Sequence, residues 1–140
     1  MSNTGAVWAI YEAFGRGDVQ GILDRMHPDV EWERWEEGNS LQDAGYPPMQ
    51  ARTGHDGVVA FLTAVQETVE LPVFDVRGVF EDGDTVASRV RVRIRFRTSG
   101  QEIDDDEWHV WTFDDDGRVI SLRHLIDTKK HHDAWKGAVP

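Results

Sequence analysis

Near the amino terminus, apolar residues recur at Val7, Ile10, Tyr11 and Phe14, the spacing of one buried helix stripe, until Gly15 and Gly17 interrupt it. The spacing predicts a first helix. Asp18 is a good cap residue, and Val19, Ile22, Leu23 and Met26 repeat the stripe up to Pro28, which predicts a second helix and a short helical hairpin. Val30 to Trp35 then alternates, with Val30 and Trp32 set against Glu31 and Glu33, so a strand is expected. Residues 36–52 carry Gly38, Gly45, Pro47 and Pro48, are long for a connection, and read as a lid. Thr53 with Asp56 matches a capping box, and Val58, Leu62, Val65 and Val69 mark a third helix that Pro72 ends. From Val73 the period changes to two. Turn signals at Asp82-Gly83, Ser99-Gly100 and Asp116-Gly117 divide the remainder into four strands of an antiparallel meander. Residues 128–140 read as a polar C-terminal tail, in which Lys129 to Ala138 offers one or two helical turns.

The meander can be read as geometry. Val86 to Thr98 places Val90, Val92, Ile94 and Phe96 on one face and Arg89, Arg91, Arg93, Arg95 and Arg97 on the other. With Ser99-Gly100 as a two-residue turn, Arg97 faces Glu102, Arg95 faces Asp104, Arg93 faces Asp106 and Arg91 faces Trp108. Opposed carboxylates make the arginine stripe a solvated or subunit-contacting face rather than a nucleic-acid groove. The same register turns Asp105, Glu107, His109, Trp111 and Phe113 toward the core, unless a one-residue bulge over residues 104–107 turns the two carboxylates outward. Taking Asp116-Gly117 as the next tight turn pairs Phe113 with Ile120, Trp111 with Leu122 and His109 with His124.

Composition narrows the function classes. A chain of 140 residues with 39% hydrophobic residues and six tryptophans suits one domain over residues 1–140. A formal net charge of −11 disfavours nucleic acid and anionic membrane surfaces as partners. With no cysteine, there is no disulfide framework and no thiolate nucleophile. Met1 to Gly5 shows no secretory pattern and no stretch is long and apolar enough to span a bilayer, so a cytoplasmic protein without membrane partners is expected.

Several motifs carry a resemblance: Tyr11-Glu12-Ala13-Phe14 through Gly17-Asp18, His27-Pro28-Asp29-Val30-Glu31-Trp32, Gly54-His55-Asp56-Gly57-Val58, and Trp111-Thr112-Phe113 through Gly117-Arg118-Val119-Ile120. Together with the element order, they resemble the SnoaL-like branch of the nuclear transport factor 2-like superfamily over nearly the whole chain. The resemblance implies an α+β fold, a cone-shaped barrel of a curved, mostly antiparallel sheet wrapped around three helices from the N-terminal half. It also implies ketosteroid isomerase, polyketide cyclase, dehydratase or epoxide hydrolase chemistry, or none, because the motifs specify turns and core rather than activity. The isomerase base, tyrosine and meander aspartate fall on Arg34, Ile10 and His109, so that constellation is absent. The cyclase type is better resembled by an inward His109 beside a polar residue on the last strand, here His124. The epoxide hydrolase pattern would need Arg34 with Asp105 or Glu107.

The candidate site follows. His109 is assigned as general acid or base, His124 as its partner, Arg34 as a positive group for an oxyanion, Tyr11 as a donor, and Asp105 and Glu107 as neighbouring carboxylates. A small, largely apolar carbonyl-type molecule would pack against Trp32, Trp111, Phe96, Phe61, Ile94 and Leu122. No cofactor is implied. No metal is expected either, since no spacing among His109, His124, Asp105 and Glu107 demands one. His131-His132 and His55 are expected to be exposed. The competing reading is a non-catalytic binding or homodimeric assembly module, with Trp108, Val110 and Leu125 on the outer sheet face making the dimer.

Overall fold

The two helical stripes at the amino terminus fold against each other in the computed structural model, which describes residues 2–137. Helix α1 (Asn3–Gly15) buries Ala6, Val7, Ile10 and Ala13. Helix α2 (Val19–Leu23) is capped by the Asp18 carboxylate, which accepts from the Gly21 N–H. It stops short of Met26, contrary to the helical expectation. Met26 opens strand β1 (Met26–Trp32) and is buried with Val30 and Trp32, positions that fit a period of two. Pro28 lies within this strand where the ladder to its neighbour is interrupted, so its missing N–H leaves no bond unmade. The strand ends at Trp32 rather than Trp35 because Glu33 takes a left-handed backbone, φ 57°.

The expected lid is ordered. It folds into α3 (Ser40–Asp43), a 3₁₀ turn (Pro47–Met49) and the short strand β2 (Arg52–Thr53). Asn39 Oδ1 caps α3, while Gln42 Nε2 donates to the carbonyls of Glu33 and Met49, and Leu41, Tyr46 and Met49 are buried. Helix α4 (Gly54–Thr68) begins after Thr53, but the threonine hydroxyl makes no capping bond, so the expected box does not form. Pro72 does not end this helix. It lies in β3 (Val69–Asp82), at a register shift between Glu70 and Val73.

With β4 (Thr85–Phe96), β5 (Glu102–Phe113) and β6 (Val119–Leu125), the sheet order is β2-β1-β6-β5-β4-β3. Every pairing is antiparallel except β1 with β6. The α+β architecture agrees with the sequence reading, but the curved sheet is open and no barrel closes. The β4–β5 connection is wider than a two-residue turn: Phe96 N–H donates to Gln101 O and Gly100 N–H to Phe96 O. Partners therefore shift by two, to Arg95 with Glu102, Arg93 with Asp104, Arg91 with Asp106 and Arg89 with Trp108. A shift of two leaves every side chain on its own face. The ladder runs without a bulge, so Asp105, Glu107 and His109 point inward and are buried. Between β5 and β6, Trp111 meets Leu122 and His109 meets His124, whereas Phe113 meets Val119 instead of Ile120 after a shift at Thr112.

The polar tail is in fact helix α5 (Thr128–Lys136), capped by Asp127 and burying His131 and Ala134 beside Tyr46 and Phe96. Ala138, the end of the expected helical turns, lies outside the described residues. No helix among the described residues is long and apolar enough to cross a membrane.

Candidate functional site

Between the concave face of the sheet and helices α1 and α4 lies an open cavity, its empty space about 900 Å³ with the solvent at the mouth included. Its wall is apolar apart from a few groups. Ile10, Tyr11, Trp32, Phe61, Ile94, Trp111 and Leu122 form much of it, and Tyr46, Pro48 and Met49 of the cover segment close one side. The polar groups are Glu107, His109, His124 and His131, so acid/base chemistry is confined to one region of an otherwise greasy surface.

His109 is held at both nitrogens. Nε2 is 2.9 Å from Glu107 Oε2 and Nδ1 is 2.6 Å from Tyr11 Oη. Tyr11 Oη also bonds Ser88 Oγ, which accepts from the Trp111 indole N–H at 3.1 Å. One set of proton positions satisfies the whole chain. Trp111 donates to Ser88, Ser88 to Tyr11, Tyr11 to His109 Nδ1, and His109 Nε2–H to Glu107. This makes His109 a neutral imidazole. Burial and the adjacent His124 push its pKa below the ordinary value, against the pull of Glu107. Burial alone would raise the Glu107 carboxyl, but the His109 bond and the nearby His131 and His124 rings outweigh it and hold the group low. The Tyr11 phenol is pushed up, chiefly by burial, so it stays a protonated donor.

His124 is different. Its ring meets that of His109 edge-on, centroids 4.3 Å apart, and stacks on Phe61 at 5.3 Å. Its Nδ1 is 2.6 Å from Glu33 Oε1, which also accepts from the His124 backbone N–H at 2.8 Å. Glu33 Oε2 accepts from the Trp35 indole at 2.9 Å. Burial pushes His124 down, but Glu33 prevails and holds its pKa above the ordinary value. Nδ1 is thereby committed as a donor, while no hydrogen bond to the protein engages Nε2 among the described residues.

Other expectations change. Arg34 is exposed and pairs with Glu31 at 3.0 Å and Glu36 at 3.5 Å, so the arginine-and-two-carboxylate set does not assemble. The group that enters the interior is its neighbour Glu33, fully buried, which strand alternation had placed outward. Phe96 is core rather than wall, packed 6.3 Å from Tyr46 and 6.2 Å from His131. Asp105 lies behind the wall, accepting from the backbone N–H groups of Asp106 and Asp127. His131, expected to be exposed, is 1% exposed and donates from Nδ1 to Asp127 O at 2.9 Å. His132 remains on the surface, while His55 is partly buried against the Met26 carbonyl. The buried Trp32 indole N–H, in the cavity wall, has no acceptor among the described residues.

No curated protein matches the chain. Among solved structures, it is similar to an NTF2-like protein of unknown function from Burkholderia pseudomallei K96243, with 27% identity, TM-score 0.80, and coverage of 96% of this chain and 98% of that one. TerC, crystallised with polyporic acid, has 29% identity and TM-score 0.79 over 96% of this chain and 98% of its own. An NTF2-like protein from Burkholderia xenovorans LB400 has 26% identity and TM-score 0.78, covering 94% of each chain. The SnoaL-like domain model matches residues 7–122, which takes in His109 and Glu107 but stops short of His124 and His131. On that match, carried by the same sheet and helices that build the cavity, the chain belongs to the SnoaL-like family.

Proposed function

We propose that the protein binds a small, largely apolar carbonyl-type molecule in the cavity and moves a proton on it, with His124 as the acid/base group. One observation carries this reading. Glu33 fixes the tautomer and orientation of His124, leaving Nε2 as the uncommitted nitrogen of a side chain in the cavity wall. The sequence-based roles of the two histidines are thereby exchanged: His109, engaged at both nitrogens, serves as a neutral, fixed neighbour. The unpaired Trp32 N–H offers a donor to a carbonyl oxygen. A cavity able to hold an aromatic carbonyl compound also agrees with TerC having been crystallised with polyporic acid.

Isomerase, cyclase and dehydratase reactions all begin with proton transfer beside a carbonyl, so the test is exchange rather than a particular product. The protein is incubated with 2-tetralone in heavy water and deuterium incorporation is followed by NMR, while polyporic acid binding is followed by tryptophan fluorescence. The expected result is exchange that His124→Gln slows by about 10²–10⁴-fold with binding retained. Saturable binding without any exchange would instead favour a non-catalytic binding module.

A further inference from the structure

We propose that Asp105, Glu107 and His131 form a binding site for a divalent first-row transition metal ion at the edge of the cavity. The three side chains, two from β5 and one from α5, offer ligand atoms that lie within 4.8 Å of one another, and all three residues are buried. The observation that points to a ligand is the imidazole of His131. It is 1% exposed, and its Nε2 has no hydrogen-bond partner among the described residues. Donation from Nδ1 to the Asp127 carbonyl puts a proton on that nitrogen, so Nε2 is the nitrogen that can give a lone pair to an ion.

Nε2 faces Glu107 Oε1 at 3.5 Å, too far for a good hydrogen bond. Glu107 Oε2 is already taken by His109, so Oε1 is the free oxygen. Two donors bound to one ion at about 2.0–2.2 Å and a near-tetrahedral angle stand roughly 3.4 Å apart, which matches the gap. Asp105 supplies the third ligand, its two oxygens steadied by the backbone N–H groups of Asp106 and Asp127. The two carboxylates converge on one imidazole, Asp105 Oδ2 lying 3.5 Å from His131 Nδ1 and Glu107 Oε1 3.5 Å from Nε2. One imidazole and two carboxylates suit ions such as Zn²⁺ or Mn²⁺. Glu107 and His131 both line the cavity, so the remaining coordination positions open onto it and can take a ligand oxygen.

The test uses the full chain, stripped with a chelator and titrated with Zn²⁺. Metal content after gel filtration is measured by mass spectrometry, and Co²⁺ absorption in the visible reports coordination. The expected outcome is one ion per chain, a higher melting midpoint, and a tetrahedral or five-coordinate Co²⁺ spectrum. His131→Gln and Glu107→Gln are expected to weaken binding roughly a hundredfold, by removing a ligand rather than an outer partner. His132→Gln, on the adjacent surface, should leave it unchanged. Should His131→Gln fail to fold, Asp105→Asn and the wild-type Co²⁺ spectrum decide. A stripped wild-type protein that takes up no Zn²⁺ and gives only the octahedral aqueous Co²⁺ spectrum overturns the proposal. So does uptake that both ligand variants retain. His124→Gln is expected to bind the metal normally, so this site and the acid/base reading fail separately.

Discussion

Glu33 is the residue on which the proposed chemistry turns. A left-handed φ of 57° is unfavourable for glutamate, and such strain persists where surrounding bonds over-determine it. Here Leu122 O accepts from the Glu33 N–H, Gln42 donates to its carbonyl, and His124 and Trp35 bond its carboxylate. Because His124 is held above its ordinary pKa of 6.5, the pair's pH-dependent contribution to stability is complete below about pH 6.5. It is lost as pH rises through the folded-state value. Glu33→Gln is therefore expected to cost about 1.5–3 kcal/mol near pH 6. The difference from wild type should narrow above His124's folded pKa, as read by urea unfolding across pH. In the exchange reaction, proton removal by His124 should increase with pH through its pKa, and Glu33→Gln should move that inflection downward. A profile that does not move would show that another group titrates. Tyr11→Phe tests the other hydrogen-bond chain: it strands His109 Nδ1, while Ser88 keeps its Trp111 donor and the His109 carbonyl, and a loss of about 1–3 kcal/mol is expected in the same unfolding assay. The histidine pair was legible because it needs only strand parity and the net register, which the shift between Thr112 and Phe113 restores although the turn is wider than the tight one expected. Glu33 was not, since alternation from Val30 onward places it outward and nothing in the string of side chains announces a backbone reversal.

At the scale of elements, the site depends on segments with weak hydrophobic patterns. The stripe-bearing helices α1 and α4 and the alternating strands were readable because burial of one face imposes their period. Helix α5 has few apolar residues, and it docks through Ala134 and His131 together with a bond from Ser99 Oγ to the Ala134 carbonyl at 2.6 Å. A helix that buries a histidine as part of its contact face looks polar in sequence, which hid His131. The β4–β5 register was misjudged by two residues because Ser99-Gly100 sits inside a longer loop, yet the error preserved every face assignment. Ala134 is fully buried against the group containing Tyr46, Phe96 and Ile94, so Ala134→Leu has no room to fit. The expected cost is about 1–3 kcal/mol in the urea midpoint. Polyporic acid binding should weaken in parallel, because displacing α5 also displaces His131 from the cavity wall. Unchanged stability would mean that α5 docks too loosely to shape the site.

For the molecule as a whole, the outer sheet face poses a different problem from the cavity. Phe80 on β3, Trp108 on β5 and Leu125 on β6 are 57%, 37% and 43% exposed, and the Phe80 and Trp108 rings lie 5.9 Å apart. Trp108 pairs directly with Leu125, and Phe80 pairs with Ala87 on the same side, so these side chains form a stripe across the sheet. Beside it run ion pairs between Arg89 and Asp106 at 2.9 Å and between Arg93 and Asp104 at 3.1 Å. Each exposed pair contributes at most about 1 kcal/mol to the monomer. In a two-fold assembly, alternating arginines and carboxylates can meet their own complement while the aromatic stripe leaves water. Net charge of −11 resists unspecific association, so any self-contact has to come from such a matched surface. Light scattering is accordingly expected to give about twice the 15.9 kDa chain mass. Trp108→Lys, which puts a charge in the stripe without touching the concave face, should halve that mass and leave polyporic acid binding intact. A wild-type monomer at high concentration would mean that the stripe is ordinary exposed surface. A variant that lost mass and ligand binding together would instead tie the cavity's shape to a second copy of the chain.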